Sequence, residues 1–423
     1  MVEKNKITIT EEELKAAFVG KSEPKKTPGS KPPKKKQSFS KKDLAFLIGG
    51  VIGLVTGITL IAISLFLPST SGSAIDFPKI PTEKTEKGEY SLLTGERLED
   101  GASKTAPVYC IQTPNGTDGG RPQVGLKQAG VIFEAIAEAG ITRFAAIYQA
   151  PTSAIIGPVR SLRTYYLEWD TPFDCAIVHA GGAEDALVAV SSGEYRDLTE
   201  TPAYFYRGTH SERLWNNLFT TSTKLREYSQ DKNFTSSDLK GFARLTPLES
   251  DQARMEKMAN KVLDITAPSE GNTSEMVAEA PNITIRFGNS ATFNVDYEYD
   301  PDSNTYLRSY ANGTKHEVYN CPDGDLGERD PEDVCELQQM APSVVIAMVV
   351  QEGRATDGYH ESITTIGSGK AYVFQNGAVT TGTWSKTSKA DQIKFLDESG
   401  SEIKLAPGQT FISAVPNYGS VEY

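Results

Sequence analysis

Phe173-Asp174-Cys175-Ala176-Ile177-Val178-His179-Ala180-Gly181-Gly182 is the stretch on which the fold reading turns. Ala176-Ile177-Val178 is a short apolar run, Gly181-Gly182 interrupts it, and Glu184 to Val190 follows with helix-forming residues. A buried strand, a glycine turn and a helix in that order are the unit of an α/β sheet. The same alternation extends upstream. Val108-Tyr109-Cys110-Ile111 and Phe144 to Tyr148 read as strands. Leu126 to Ala139 reads as a helix with Ile132, Ala135, Ile136 and Ala139 on one side, and Val159 to Leu167 as another with Pro158 at its first position. The expectation is an α/β domain over residues 101–265, a mixed sheet with covering helices. Thr266 to Pro281 is polar and punctuated by Pro and Gly, a linker over 266–281. Beyond it the period changes to two. Thr292 to Tyr299 alternates, Val344 to Val350 is a continuous apolar run, and Asn376-Gly377 and Ser399-Gly400 mark tight turns, so 282–423 is expected to be mostly β.

The N-terminal part has a different logic. Leu44 to Leu67 is an uncharged run of 24 residues, enough at about 1.5 Å per residue to cross a hydrocarbon layer of about 30 Å. It is expected to be a single transmembrane helix anchored in the lipid bilayer. Residues 1–43 form a basic, Pro/Lys/Ser-rich tail with twelve lysines against six acidic residues. The positive-inside rule therefore places the N-terminus in the cytoplasm and the large C-terminal region outside the cell. Residues 68–100 read as a polar stalk. The chain has a formal net charge of −12, the tail contributes +6, and the remainder carries −18. That excess of negative charge argues against nucleic acid as a partner, since phosphate contacts need clustered Lys and Arg.

Four stretches in order, Arg121-Pro122-Gln123-Val124-Gly125-Leu126, Gly140-Ile141-Thr142-Arg143-Phe144, Ile156-Gly157-Pro158-Val159-Arg160-Ser161 with Arg163, and Val178-His179-Ala180-Gly181-Gly182, resemble the YerB-like lipoprotein family of bacteria. A weaker likeness continues through Arg213 to Phe219 and from Gly367 to Gly408. The resemblance implies an extracytoplasmic domain of unknown function and a place in the bacterial cell envelope. Family members are typically tethered through a lipid-modified cysteine. Here no Cys follows the apolar run until Cys110, so the transmembrane helix takes that role.

All four cysteines, Cys110, Cys175, Cys321 and Cys335, fall on the expected outer side, where disulfides persist. Cys321 and Cys335 bracket a polar loop and are the leading pair. Cys110 and Cys175 lie in apolar runs and either pair or stay as buried thiols. No Cys-x-x-Cys or His-x-x-x-His spacing points to zinc, the acidic residues of the 321–335 loop miss the register of a calcium loop, and no metal or cofactor is expected.

The polar residues that remain define the candidate site. Arg160 and Arg163, three apart on the expected helix, would share a face beside free backbone N–H groups and form a carboxylate or phosphate clamp. The alternative is ion pairing with Glu134, Glu138 or Asp174. Arg121 and Arg143 are expected close by, and His179 with Gly181 and Gly182 borders the same cleft at the end of a strand. Glu134 and Glu138, at i and i+4, would share a helix face and with His179 are the only acid–base candidates. Tyr204, Phe205, Tyr206, Trp215 and Phe219 form an aromatic region near Arg207, His210 and Arg213, suited to sugar rings or a partner surface. These features point to an extracytoplasmic protein that binds an envelope protein or an anionic cell-wall component through an Arg-rich cleft. The competing reading is an envelope hydrolase acting on wall glycan or peptide through Glu134, Glu138 and His179. No Ser or Cys nucleophile can be assigned to that histidine, and the reading leans away from an enzyme.

Overall fold

The computed structural model describes residues 88–209, 211–255 and 278–423. The expected tail over 1–43 and transmembrane helix over 44–67, most of the linker, and His210 lie outside the described residues. Among the described residues no helix is long and apolar enough to cross a membrane. The described residues all fall within one compact unit.

The framework is a mixed sheet of 11 strands. Five come from the first half: β1 (Val108–Pro114), β2 (Val131–Glu138), β3 (Ile141–Gln149), β4 (Ala176–His179) and β5 (Arg196–Thr199). They run in the order β2-β3-β1-β4-β5, with β2, β3 and β1 antiparallel and β1, β4 and β5 parallel. Beyond β2 the sheet continues without a break into the second half. Thr410–Pro416 pairs with β2 in parallel, followed by Val344–Val350, Gly367–Gln375, Ala378–Lys386 and Lys394–Asp397. Residues on both sides of 266–281 therefore share one sheet. The first half is mixed sheet with few helices, and the second is mostly β.

One face of the sheet is covered by the helices Thr164–Asp170 and Glu184–Val190. Tyr165, Tyr166, Trp169 and Phe173 are buried there, with Phe133 stacked on Trp169 at 5.3 Å. Each such ring taken out of water contributes roughly 2–3 kcal/mol. The opposite face carries the helix Ser222–Asp231 at one end and, over the rest, a four-stranded sheet of Thr305–Tyr310, Val295–Asp300, Asn282–Arg286 and Ser420–Glu422. Residues 88–100 pack on this body. Leu93 is buried, and its carbonyl accepts from Arg244 Nη2.

Two expected helices are not where the sequence placed them. Leu126 to Ala139 has only a short 3-10 turn at Leu126–Gln128, then the strand β2. Both faces of β2 are buried, so its run is nearly continuous in apolar residues and lacks the alternation that marks a half-exposed strand. Ala139 and Gly140, with φ of 50° and 76°, form the two-residue hairpin into β3, a conformation favoured by Gly. The second helix begins at Thr164 and not at Val159. Val159, Arg160 and Leu162 donate their backbone N–H groups to Leu218, Gln112 and Gly181, so residues 159–163 run extended between neighbouring segments. Pro158 is not the first residue of a helix. The strands at 108–111, 144–148, 176–178 and 344–350 and the helix over 184–190 lie within observed elements.

Two disulfides are present. Cys110–Cys175 joins β1 to the residue before β4, and Cys321–Cys335 closes the polar loop. On a chain-entropy argument the first, spanning 65 residues, contributes about 4 kcal/mol and the second about 3 kcal/mol.

Candidate functional site

Glu134 and Glu138 organise two separate clusters, and a bulge in β2 divides them. The pairing with β3 shifts register between Ile136 and Glu138. Glu134 then bonds Thr142, whereas Glu138 bonds Arg143, the next residue on β3. Successive strand residues point to opposite faces, so the two carboxylates lie on opposite sides of the sheet. The shared helix face expected for them does not exist, and neither does an acid–base pair made of both.

Glu134 is sealed beneath the four-stranded sheet at 0% exposure. One carboxylate oxygen accepts from Thr142 Oγ1 at 2.8 Å and Asn115 Nδ2 at 3.2 Å, the other from Arg308 Nη2 at 2.7 Å. Arg308 also donates to the Tyr297 hydroxyl and to His316 Nδ1. His316 must then carry its proton on Nε2, 3.0 Å from Gln123 Oε1, and the Gln123 amide donates in turn to Pro114 O and Asn115 Oδ1. Burial, then Arg308 and Arg121, pushes the His316 pKa well below the usual histidine value, so the ring is neutral. For Arg308, burial pulls the pKa down but Glu134 outweighs it, and the guanidinium is held above its ordinary value. Arg121 belongs to this cluster. Its Nε donates to Asn115 Oδ1 at 2.8 Å, and its guanidinium carbon lies 3.6 Å from the centre of the Tyr310 ring.

Glu138 lies on the helix-covered face, near the surface. Arg143 Nη2 donates to one carboxylate oxygen at 2.7 Å and Arg163 Nη2 to the other at 2.5 Å. Arg143 also donates to Ser161 O and Arg163 to Leu162 O, which pins the extended 159–163 segment. Burial raises the Glu138 pKa, but Arg143 and Arg163, with Arg160 behind them, outweigh it and hold the carboxyl below the usual range. Burial and the neighbouring Arg163 bring Arg143 down to about 10, still charged at neutral pH.

Arg160 is different. It is half-buried, no described residue accepts a hydrogen bond from its guanidinium, and its buried Nε has no partner. Glu138, Asp118 and the Tyr359 hydroxyl lie within electrostatic reach of it. Asp118 is held by Trp215 Nε1 at 3.2 Å and Asn216 Nδ2 at 3.1 Å. Tyr359 sits at the tip of the hairpin Glu352–Arg354/Glu361–Ile363, which joins the end of β2 through the Glu138–His360 bridge. Asp357 shapes that tip by accepting from the backbone N–H groups of Tyr359 and His360 and from the His360 ring.

Of the residues picked from sequence, Arg143, Arg160 and Arg163 converge around Glu138, while Arg121 and Glu134 are on the other face. Gly181 and Gly182 border the convergent segment, Gly181 O accepting from Leu162 N. His179 is buried with Nδ1 2.8 Å from Gly181 O and Nε2 3.0 Å from Asp197 Oδ1. Nδ1 faces the turn and Nε2 faces Asp197 of β5, so the ring is held between two acceptors. Phe205, Tyr206 and Phe219 are buried and Tyr204 stacks on Tyr228 at 4.2 Å, which leaves Trp215 exposed. The open alternatives for the arginines divide: Arg163 pairs with Glu138, Asp174 pairs with Arg196, and Arg160 pairs with neither. Asp118, Tyr359, Arg308 and His316 were not picked out. Nothing local marks them, because their roles come from contacts across the fold. Among the described residues no group of three or more His, Cys, Asp or Glu side chains could hold a metal ion.

The chain is similar to known proteins over most of this body. Two family models match, "Protein of unknown function (DUF3048) N-terminal domain" over residues 93–235 and its C-terminal counterpart over residues 283–412. "Putative lipoprotein YerB" of Bacillus subtilis (strain 168) is 26% identical over 342 residues, covering 79% of this chain and 88% of that protein. The crystal structure of the YerB protein from Bacillus subtilis superimposes with a TM-score of 0.60 at 23% identity, covering 79% of this chain and 100% of the other, and shows the same fold.

Proposed function

The chain belongs to the YerB-like family, and on that footing we propose that it is an extracytoplasmic protein of the bacterial cell envelope that binds an anionic ligand through the arginine cluster around Arg160. The relative named as a lipoprotein supports the envelope location. In this chain the uncharged run 44–67 replaces the lipid as anchor, with residues 1–43 in the cytoplasm and the body outside.

The observation that carries the binding reading is the unspent charge of Arg160. Arg143 and Arg163 already occupy both oxygens of the Glu138 carboxylate, so Arg160 is left with free donors although Glu138 and Asp118 lie within electrostatic reach of it. A half-buried guanidinium with unmade hydrogen bonds is open to an incoming carboxylate or phosphate, which would supply charge-assisted ones. The −18 charge of the chain beyond residue 43 makes this local positive cluster selective for small anions over polyanions. The hydrolase reading needs two catalytic groups in one cleft. Glu134 and Glu138 are on opposite faces, Glu138 is clamped by two arginines, and His179 is buried between Gly181 O and Asp197.

The test is calorimetric titration of the full chain in nanodiscs with succinate and with inorganic phosphate. One-site binding by the wild type, lost in Arg160→Gln with an unchanged melting temperature, is the expected result. Anion binding equal in both proteins places the site elsewhere, and no binding by the wild type rejects it.

A further inference from the structure

We infer that the open edge of β5 is a docking surface for an extended peptide, added to the sheet as a further strand with a lysine side chain laid in the groove between β5 and the helix Glu184–Val190. This surface is independent of the anion site at Arg160.

The two ends of the large sheet are finished differently. At one end Lys394–Asp397 is covered by the chain itself: Ile403 N donates to Phe395 O, Asp397 N donates to Ser401 O, and Leu396 bridges to Glu402. At the other end β5 pairs only with β4. The parallel register decides which of its groups are left over. Glu200 N donates to His179 O. In a parallel ladder every second residue turns both backbone groups to the same side, so Arg196 and Leu198 face β4 while Asp197 and Thr199 turn outward. Thr199 O accepts from the Tyr228 hydroxyl at 3.1 Å. The N–H and C=O of Asp197 and the N–H of Thr199 have no partner among the described residues. A bare strand edge is a template for another strand, and Thr199 is exposed.

The side chains of the same two residues open onto a groove. Leu198 is buried on the face opposite the helix, so Asp197 and Thr199 point towards the helix and with it line a cavity of about 480 Å³. One wall is aliphatic, with Leu187 and a Val188 that is 67% exposed. The charged groups are acidic. Glu184 is exposed and makes no ion pair among the described residues, and Asp197 uses only Oδ1, which faces His179 Nε2 at 3.0 Å. An apolar wall leading to unspent carboxylates suits a side chain with an aliphatic stem and a cationic head. Alternate residues of an added strand present their side chains to one face, so a lysine enters the groove while the peptide backbone takes up the edge. A second copy of this chain fits poorly. Pairing β5 with its own counterpart brings the Glu184 and Asp197 carboxylates of two acidic bodies together.

The probe is a short fluorescent peptide alternating threonine and lysine, titrated by anisotropy into the full-length protein in nanodiscs of neutral lipid. Four counterparts carry norleucine for lysine, glutamate for lysine, N-methyl groups on the lysine amides, or N-methyl groups on the threonine amides. The lysine peptide should bind about tenfold tighter than the norleucine peptide, and Glu184→Gln should weaken it about fivefold at an unchanged melting temperature. One of the two N-methylated peptides should lose binding, because its methyl groups replace the donors that face β5. Bound lysine peptide should slow hydrogen exchange at the Thr199 amide, and Arg160→Gln should leave its affinity unchanged. Full binding by both N-methylated peptides overturns strand addition. Equal affinity for norleucine and lysine overturns the assignment of the groove to a cationic side chain. Protection of the Thr199 amide without peptide, growing with protein concentration, assigns the edge to a second copy. Absence of binding by every peptide overturns the proposal and leaves the anion site standing.

Discussion

Glu134 and Glu138 are four residues apart on one strand and live in opposite worlds. Glu134 is fully buried, and every hydrogen-bonding partner around it is itself satisfied: Arg308, His316, Gln123, Asn115 and Thr142 close a network. Glu138 lies near the surface with both oxygens taken by Arg143 and Arg163, and Arg160 beside it is left without a hydrogen-bond partner. A satisfied buried network specifies one arrangement of the core, whereas an incomplete one near the surface is poised for something from outside. The contrast teaches where in this molecule to look for structure and where for binding.

The sharpest way to break the comparison is Arg308→Leu. It strands Glu134 without its counter-ion beneath the second sheet, and stability should fall by about 3–5 kcal/mol in a denaturant titration. A loss under about 1 kcal/mol would show that the network is not what clamps the two sheets. Glu138→Gln should cost less, about 2 kcal/mol at neutral pH, because Glu138 itself is partly exposed to water. Its pH dependence follows from the sign of the shift. The folded-state carboxyl is depressed, so its stabilisation is present above the ordinary carboxylate value and lost as pH falls through the lower folded value. Thermal melts of wild type and variant should differ at neutral pH and converge in strong acid; a gap that persists there would show that charge is not the cause.

Asp170 gives a smaller effect of opposite slope. It is fully buried beside Gln112, and burial raises its pKa well above the usual value. The folded chain must hold a proton that the unfolded chain releases, so stability falls as pH rises above the ordinary aspartate value. Asp170→Asn removes that requirement. The variant should match the wild type at low pH and melt at a higher temperature at neutral pH, and a constant difference across the range would contradict the assignment. The smallest stability effect belongs to Arg160→Gln, within about 0.5 kcal/mol by denaturant unfolding, since no intramolecular hydrogen bond is lost. A large destabilisation would mean that Arg160 has a structural partner and is not held open for a ligand.

Legibility followed the same divide. The runs 176–178 and 344–350, the turn at Asn376-Gly377 and the helix over 184–190 were readable because their signals are local: apolar stretches bounded by breakers. The sequence of β2 reads as a helix because both its faces are covered, which erases the period that identifies a strand. Arg143, Arg160 and Arg163 are legible as a group, but the helix expected to carry Arg160 and Arg163 is an extended segment up to Arg163, and a bulge and a hairpin bring Arg143 to Glu138.

By itself the sequence determined which short segments prefer to be strands, where the chain turns, and that an acidic body carries a few concentrated arginines. These properties depend on residues within a turn or two of each other. Only the tertiary structure decided which arginine each glutamate meets. Arg308 reaches Glu134 across 174 residues, and a single bulge sends Glu138 to the other face. A charge chooses its partner by distance and desolvation in space, and neither quantity is encoded in spacing along the chain.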